Sequence, residues 1–269
     1  MAATDTSPDL VHAPGTVVLR VEGLTKTFGG VDALTDFDLT IHAGEVVALV
    51  GDNGAGKSTF IKCIAGVHAP TSGRMLLLDE DITSMSGPAA ARDLGIETVH
   101  QDTGLVDVLP LGDNFFLGRE LFHRNPLLRA LGVLDRKRMY EIARSSVTSI
   151  GAKLTGSPRK QTGMFSGGQR ASILIGRASH FGSKLLLLDE PTAALGVEQS
   201  AAVLDIVRNT ARKNLPIIII SHNMEEVFAV ADRVVVLRLG RLAADLRTSE
   251  TTKDEVVGYL TGAISGTPA

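Results

Sequence analysis

The sequence lacks the features that mark secreted, zinc-binding and membrane-spanning chains. It holds a single cysteine, Cys63, which excludes an internal disulfide and a cysteine-rich zinc site and fits a reducing compartment. No apolar run approaches the roughly 18 residues needed to cross a bilayer. Residues 1–15 lack the basic start and apolar core of a secretory leader, and a net charge of −3 gives no electrostatic case for nucleic acid as a partner.

The composition is sufficient to form a hydrophobic core. The chain has 269 residues, of which 44% are hydrophobic and 21% charged, which suits one large domain or one domain with an inserted subdomain. Short apolar runs alternate with helix-like stretches, so the fold is predicted to be α/β, with a mostly parallel sheet covered by helices. The runs 37–41 and 45–50 are predicted to be strands joined across a turn. A mainly helical stretch at about 101–163 is interpreted as a subdomain, within which Asp135 is a candidate cap for a helix through about residue 150. We expect a disordered arm over 1–15, a main domain over 16–250, and a C-terminal helix and tail over 251–269.

A glycine-rich loop follows the apolar run 45–50. The residues Gly51, Asp52, Asn53, Gly54, Ala55, Gly56, Lys57 and Ser58 fit the pattern G-x-x-x-x-G-K-[ST]. Glycines let the backbone turn its N–H groups around an anion, and the helix that follows adds its positive end. Lys57 can reach the β- and γ-phosphates, Ser58 can ligate Mg²⁺, and Thr59 can reach the α-phosphate. A chance glycine turn is the alternative, but the preceding strand and the following helix disfavour it.

Two carboxylates, Asp189 and Glu190, end the apolar run 185–188. Ligands bind at strand ends in sheets of this kind. Asp189 is a candidate ligand of Mg²⁺, directly or through water. Glu190 is a candidate general base for an attacking water molecule. An exposed Asp-Glu pair is common by itself, and the phosphate loop in the same chain favours the catalytic interpretation.

Two further polar residues follow apolar runs. His222 can hydrogen-bond a γ-phosphate and orient Glu190 or the water. Gln101 offers its amide to Mg²⁺ or to the attacking water, and is a candidate catalytic residue and metal ligand. Taken alone, each has a plainer interpretation, as a surface histidine and a loop glutamine.

A second candidate anion site opens a later helix, at Ser166, Gly167, Gly168 and Gln169. Ser166 is a good N-cap, and the two glycines permit close approach of the backbone to an anion. Since the first loop already holds one nucleotide, this set can serve the nucleotide of another copy. It predicts a head-to-tail homodimer with two ATP molecules at the interface, a closed two-fold arrangement.

With these motifs, the sequence resembles the ATP-binding subunits of ABC transporters. The loop 51–59 matches the Walker A loop, 185–190 matches Walker B, and 166–169 matches the ABC signature. Gln101 matches the Q-loop and His222 the switch histidine, all in the family's order and over about residues 17–247. The resemblance implies a P-loop NTPase core with an N-terminal antiparallel β part and an inserted helical subdomain. It also implies ATP and Mg²⁺ as ligands and places Phe28 where an aromatic residue stacks on adenine, with a core phenylalanine as the alternative.

Finer stretches are similar to the monosaccharide importers of this family, of the ribose, xylose and fructose type. They are the loop 51–58, the segment 113–120 and the segment 190–197. Gly196 stands where the wider family usually has an aspartate that bridges the protomers, and sugar-importer relatives often lack it too. Phe165 replaces the usual leucine before the signature, and His100 stands before Gln101 where relatives often have tyrosine.

The resulting hypothesis is an ATPase motor subunit that drives sugar uptake through transmembrane permease subunits, with an extracytoplasmic sugar-binding protein as an indirect partner. It implies a cytoplasmic protein held on the inner face of the membrane by the permease. Residues 113–120 are candidates for the permease contact, with ordinary packing of Phe115, Phe116 and Leu117 as the alternative. The rivals are a non-sugar transporter ATPase, a soluble ABC ATPase acting on DNA or ribosomes, and a regulator that no longer hydrolyses ATP.

Overall fold

The computed structural model describes residues 12–100, 104–154, 156–182 and 184–265. In this part of the chain the strands are β1 Val17–Phe28, β2 Val31–His42, β3 Val46–Val50, β4 Ser72–Leu77, β5 Glu80–Asp81, β6 Ile96–Val99, β7 Leu185–Asp189, β8 Ile217–Ile220, β9 Arg233–Arg238 and β10 Arg241–Arg247. The helices are α1 Lys57–Ile64, α2 Gly87–Asp93, α3 Leu111–Phe115, α4 Pro126–Ala130, α5 Arg136–Ser149, α6 Gly167–Phe181, α7 Val197–Ala211, α8 Met224–Val230 and α9 Lys253–Thr261.

The continuous apolar runs form a six-stranded sheet in the order β10-β9-β3-β8-β7-β6. Strands β9, β3, β8, β7 and β6 are parallel, and β10 joins the edge antiparallel to β9. Every residue of β3 and β8 is buried, as expected for strands covered on both faces. The carboxyl ends of β3, β8 and β7 therefore lie side by side, at the edge where the sequence places its candidate site.

A second sheet is antiparallel, in the order β2-β1-β4-β5. The sequence predicted that the runs 37–41 and 45–50 are joined across a turn. The turn is present, with the Glu45 N–H donating to the His42 carbonyl at 3.1 Å. It carries the chain from the antiparallel sheet into the parallel one, because β2 and β3 belong to different sheets.

The parallel sheet divides the core in two. Alternate residues of β3 face opposite sides, with Val46 and Ala48 in one cluster and Val47 and Leu49 in the other. The second cluster also holds the antiparallel sheet and α1, where the Phe37 and Phe60 rings pack 4.9 Å apart. The first holds α5, α6 and α7. The helices and the antiparallel sheet thus cover the two faces, which positions the strand ends between them.

Helix α5 forms where its apolar spacing predicted it. Asp135 caps it, with its Oδ1 accepting from the Arg138 N–H at 3.2 Å. Met139, Ala143 and Val147 are fully buried along one face, which packs against α3 and α6. The division of 101–163 from the main domain stays a prediction, and residues 101–103 lie outside the described part of the chain. Most of the arm predicted over 1–15 does as well.

Candidate nucleotide-binding site

The glycine-rich loop lies between β3 and α1, as predicted. Gly51 and Gly56 have no room for a side chain: an added Cβ would lie 2.5 Å from the Leu237 carbonyl oxygen in the first case and 2.6 Å from the Ala33 carbonyl oxygen in the second. Gly56 is the N-cap of α1 at a φ of 109°, and no side chain caps this helix. The first backbone N–H groups of α1 are therefore presented at the loop, together with the positive end of the helix dipole.

Lys57 reaches back across this loop. Its Nζ donates to the Gly51 carbonyl at 2.6 Å and to the Asp52 carbonyl at 3.0 Å. Burial lowers the pKa of Lys57, although Glu190, Asp52 and Asp189 act in the opposite direction. A phosphate beside the ammonium group would offset that burial, because an opposite charge favours the charged form. Ser58 and Thr59 follow in the first turn of α1, where Ser58 is exposed.

Asp189 ends β7 and pairs in register with Ile220 of β8. Burial raises the pKa of the Asp189 carboxyl and Glu190 raises it further, whereas His100, Lys57 and Lys62 lower it. A cation beside Asp189 would favour its charged form. Among the described residues, no group of three or more His, Cys, Asp and Glu is placed to hold a metal ion. The donor set fits Mg²⁺, which is bound through one or two protein ligands plus phosphates.

Glu190 stands just beyond the strand in a left-handed conformation, with a φ of 50°. Its N–H donates to the Ile220 carbonyl at 3.0 Å, which fixes the backbone at the edge of the sheet. His222 follows β8, and its Nδ1 lies 3.3 Å from Glu190 Oε1. The His222 side chain is 75% exposed and that of Glu190 is 26% exposed. The structure thus brings Glu190 and His222 together, as the sequence predicted for neighbouring strand ends.

Ser166 opens α6 in a reciprocal cap. Its Oγ accepts from the Gln169 N–H at 3.4 Å, and the Ser166 N–H donates to Gln169 Oε1 at 3.1 Å. The cap uses the lone pair of the hydroxyl and not its O–H. An added Cβ at Gly167 would lie 2.7 Å from Leu195 Cδ2, so this helix start packs closely on the segment that follows Glu190.

A cavity of about 230 Å³ joins these two parts of the site. Glu190, Gly167, Leu195 and His100 are among its lining residues. His100 is exposed and also lines a groove of about 240 Å³ beside Glu97 and Arg177. Gln101, the remaining candidate catalytic residue and metal ligand, lies outside the described residues.

Phe28 lies at the end of β1 and is 41% exposed, so it is not a core residue. Its ring makes an edge-on contact with His68 at 5.1 Å, and Lys26 Nζ lies 4.9 Å from the ring centroid. An exposed aromatic face beside cationic and aromatic groups can stack on a flat ring. The core alternative for Phe28 is therefore wrong.

The segment 113–120 divides into buried and exposed residues. Phe115 and Phe116 are 0% and 2% exposed and pack against His180 and Phe181. Leu117 is 41% exposed. Ordinary packing therefore explains the two phenylalanines, and a surface contact is open to Leu117.

Sequence reasoning missed three residues that hold the chain after Gln101. Arg177 on α6 donates to the Gly104 carbonyl at 3.3 Å and to the Leu117 carbonyl at 3.2 Å. Arg170, two turns earlier, pairs with Asp107 at 2.6 Å. Asn114, fully buried, accepts from the Val106 N–H at 2.7 Å. The spacing of the two arginines along α6 is the signal that could have indicated a shared face.

Comparison with known proteins bears on this site. A family model described as ABC transporter matches residues 34–193. The fructose import ATP-binding protein FrcA of Rhizobium meliloti is 41% identical over 246 residues, which cover 91% of this chain and 94% of that protein. The xylose/arabinose import ATP-binding protein XylG of Sulfolobus acidocaldarius is 38% identical over 244 residues, covering 91% and 94%.

The fold is also similar to a solved structure, the ADP conformation of an ATP-binding cassette of an ABC transporter. The TM-score is 0.76 at 27% identity, and the match covers 91% of this chain and 95% of that one. No helix among the described residues has the length and apolar character needed to cross a membrane.

Proposed function

Because the chain belongs to the ABC transporter family, we propose that it is the ATP-hydrolysing subunit of a sugar importer. As a family member it binds ATP and is an ATPase. The observation that carries the proposal is the meeting of Lys57, Asp189 and Glu190 at the carboxyl edge of one parallel sheet, with His222 in contact with Glu190. The curated names of the relatives support import and a sugar cargo.

The site residues divide the chemistry among them. The phosphates of ATP bind the loop 51–59, with Lys57 at the β- and γ-phosphates and Phe28 against the adenine. Ser58, Asp189 and Gln101 would hold Mg²⁺, which when bound neutralises phosphate charge. Glu190 takes the proton of the attacking water. His222, 3.3 Å from Glu190, orients that carboxylate.

Two copies form the working unit. Ser166, Gly167, Gly168 and Gln169 of one copy complete the ATP site of the other, in a head-to-tail homodimer. The packing of Gly167 against Leu195 supports this arrangement, because Leu195 lies five residues after Glu190. Binding of the partner's ATP at the signature would therefore act close to the hydrolytic carboxylate. Closure around two ATP molecules and reopening after hydrolysis would be the power stroke.

The permease would receive that stroke at the groove beside His100 and Arg177. Arg177 joins the signature helix to the chain on both sides of α3 through Gly104 and Leu117, so movement of α6 would reach this groove. Leu117 is the exposed member of the candidate contact segment. Attachment to the permease would hold the subunit on the inner face of the membrane, with a sugar-binding protein acting on the far side.

Growth on single sugars tests the proposal. A deletion strain should fail to grow on one sugar of a panel, and the wild-type gene should restore growth. The Glu190→Gln gene, expressed at the same level, should not restore growth. Normal growth of the deletion strain on every sugar, in a host freed of redundant importers, would refute the sugar assignment. Co-purification with a permease supports transport, and co-purification with ribosomes would support the soluble rival.

A further inference from the structure

The chain between α3 and α5 forms a narrow hairpin at residues 121–134, which we call the tip hairpin. The Asp135 N–H donates to the Leu121 carbonyl at 2.7 Å, and the His123 N–H donates to the Val133 carbonyl at 2.9 Å. Phe122 and Leu134 form an antiparallel bridge. Helix α4, at the end of the hairpin, has no buried residue. The hairpin therefore projects from the helices that anchor it.

Its exposed residues are apolar to an unusual degree. Leu127 and Leu131 are 76% and 77% exposed and lie one helical turn apart, on the same side of the chain. Phe122 and Val133 are 48% and 40% exposed. Single exposed leucines are ordinary on protein surfaces, whereas a contiguous apolar patch marks an interaction site.

The charge of this region differs from that of the whole protein. Residues 121–138 contain five cationic side chains and one anionic one, whereas the chain as a whole has a net charge of −3. The cationic residues are Arg124 and Arg129 in the tip hairpin and Arg136, Lys137 and Arg138 in the first turn of α5. Arg136 also pairs with Asp113 at 3.6 Å. The anionic one, Asp135, is engaged as the cap of α5. Exposed leucines and phenylalanine among cations are the pattern of a segment that lies in the interface of an anionic bilayer.

We propose that the tip hairpin docks on an anionic phospholipid surface. Leu127 and Leu131 enter the boundary between headgroups and acyl chains, and Arg129 and Lys137 meet the lipid phosphates. The tip hairpin spans only residues 121–134, fewer than the roughly 20–30 residues a side of a standard protein interface, which favours lipid over a second protein. This contact goes beyond the proposed function, because the permease alone would account for attachment to the membrane.

Co-sedimentation of the purified full chain with vesicles tests the proposal. Vesicles of equimolar phosphatidylglycerol and phosphatidylcholine should bind the chain, and added salt should weaken binding. Vesicles of phosphatidylcholine alone should bind it far less. The Leu127→Ser/Leu131→Ser variant should lose about tenfold or more in affinity. The Arg129→Gln/Lys137→Gln variant should lose about tenfold.

Matched controls change equally exposed residues elsewhere. Val31 and Leu239 are 69% and 78% exposed, so Val31→Ser/Leu239→Ser removes similar apolar surface. Arg20→Gln/Arg241→Gln removes two exposed charges. Both control variants should bind anionic vesicles like the wild type, and circular dichroism melts should show that all four variants fold.

Three results would overturn the proposal. They are the absence of binding to anionic vesicles, equal losses in tip and control variants, and a tip variant that loses self-association in sedimentation velocity while keeping vesicle binding. The last would assign the patch to a second copy. ATP turnover of the same preparations, which the tip variants should retain, separates failure of this inference from failure of the proposed function.

Discussion

Burial and the neighbouring Glu190 raise the pKa of the Asp189 carboxyl. A carboxyl whose pKa is higher in the folded than in the unfolded state contributes to the free energy of unfolding. This contribution is present in full below the unfolded pKa of about 3.9. That contribution is lost as the pH rises through the folded pKa. At neutral pH, Asp189 therefore carries a charge that the fold disfavours, which is expected of a residue placed for a cation.

Asp189→Asn should accordingly raise the melting temperature of the nucleotide-free chain at pH 7, by about 1–3 °C, while it abolishes magnesium-dependent ATP turnover. The gain in melting temperature should vanish in acid, where the wild-type carboxyl is protonated and therefore neutral, like the amide. Thermal unfolding followed by circular dichroism across pH measures both. Asp79→Asn, at an exposed turn position, is the control and should leave turnover unchanged. A variant that melts lower at pH 7 would contradict this account of Asp189.

Glu190→Gln keeps the size of the side chain and removes its basicity. Turnover should fall by about a hundredfold or more, which is the lower end of the contribution of general bases. ATP binding should persist, since Lys57 and the loop are untouched, and ATP-bound dimers should accumulate on size exclusion. Glu250→Gln, at an exposed position, serves as the control. If the Glu190→Gln protein turned over ATP at the wild-type rate, another group would be the base.

Single residues were predictable from sequence where a strand end fixes them. The loop around Lys57, the carboxylate pair at the end of β7 and His222 after β8 all follow apolar runs, and the sheet order brings them together. Arg177 was missed because its partners are the carbonyl groups of Gly104 and Leu117, which lie far away along the chain. Asn114 was missed because its side chain bonds the distant Thr162 and the backbone of the nearby loop. No sequence pattern specifies those contacts. The roles assigned to the site residues stay predictions, and Gln101 lies outside the described residues.

Among the elements, the loop after Gln101 depends on one buried amide. Asn114 on α3 accepts from the Val106 N–H and donates to Thr162 Oγ1 at 2.9 Å. Asn114→Ala would leave buried backbone groups unsatisfied, so we expect a loss of about 2–4 kcal/mol in the free energy of unfolding. Urea unfolding measures it.

Thr162→Val provides a graded comparison for Asn114→Ala. It removes the hydroxyl partner of Asn114 and keeps the shape of the side chain, so it should lose less stability than Asn114→Ala. Asn125→Ala removes the exposed cap of α4, where the side chain accepts from the Leu127 N–H, and should cost about 1 kcal/mol. Equal losses in Asn114→Ala and Asn125→Ala would mean that burial of the amide is unimportant.

Elements with a long periodic pattern or a continuous apolar run were predicted well. Helix α5 and its Asp135 cap, helix α6 behind Ser166, and the buried strands β7 and β8 formed where the sequence placed them. The short helices α3, α4 and α8 and the edge strands β5 and β10 were not predicted. A helix of five to seven residues is too short to display a period, and edge pairing depends on a neighbour that the sequence does not reveal.

At the scale of the whole molecule, the α/β fold followed from the alternation of strands and helices. The family resemblance implied an antiparallel β part near the N-terminus, and the sheet β2-β1-β4-β5 confirms it, although the alternation alone did not indicate that sheet. Polar residues along β1 and β2 hide the length of those strands, and only pairing in the folded chain extends them to Phe28 and Val31. The homodimer is a different case. It rests on the prediction that one chain carries two helix starts suited to anions, at Lys57 and at Gly167, and needs only one of them for its own ATP.

Mixing two inactive variants tests the head-to-tail dimer. Lys57→Ala disables phosphate binding by the loop, and Ser166→Glu disables phosphate binding by the signature. A homodimer of either variant therefore has one defect in each ATP site. In a mixed dimer, both defects fall in one site and the other site is intact. In a Glu190→Gln background, where ATP is trapped and not turned over, mixed dimers isolated by two affinity tags should occlude about one ATP each, and each homodimer should occlude none. If loop and signature of the same chain formed one site, mixing would restore nothing, because every site would keep a defect.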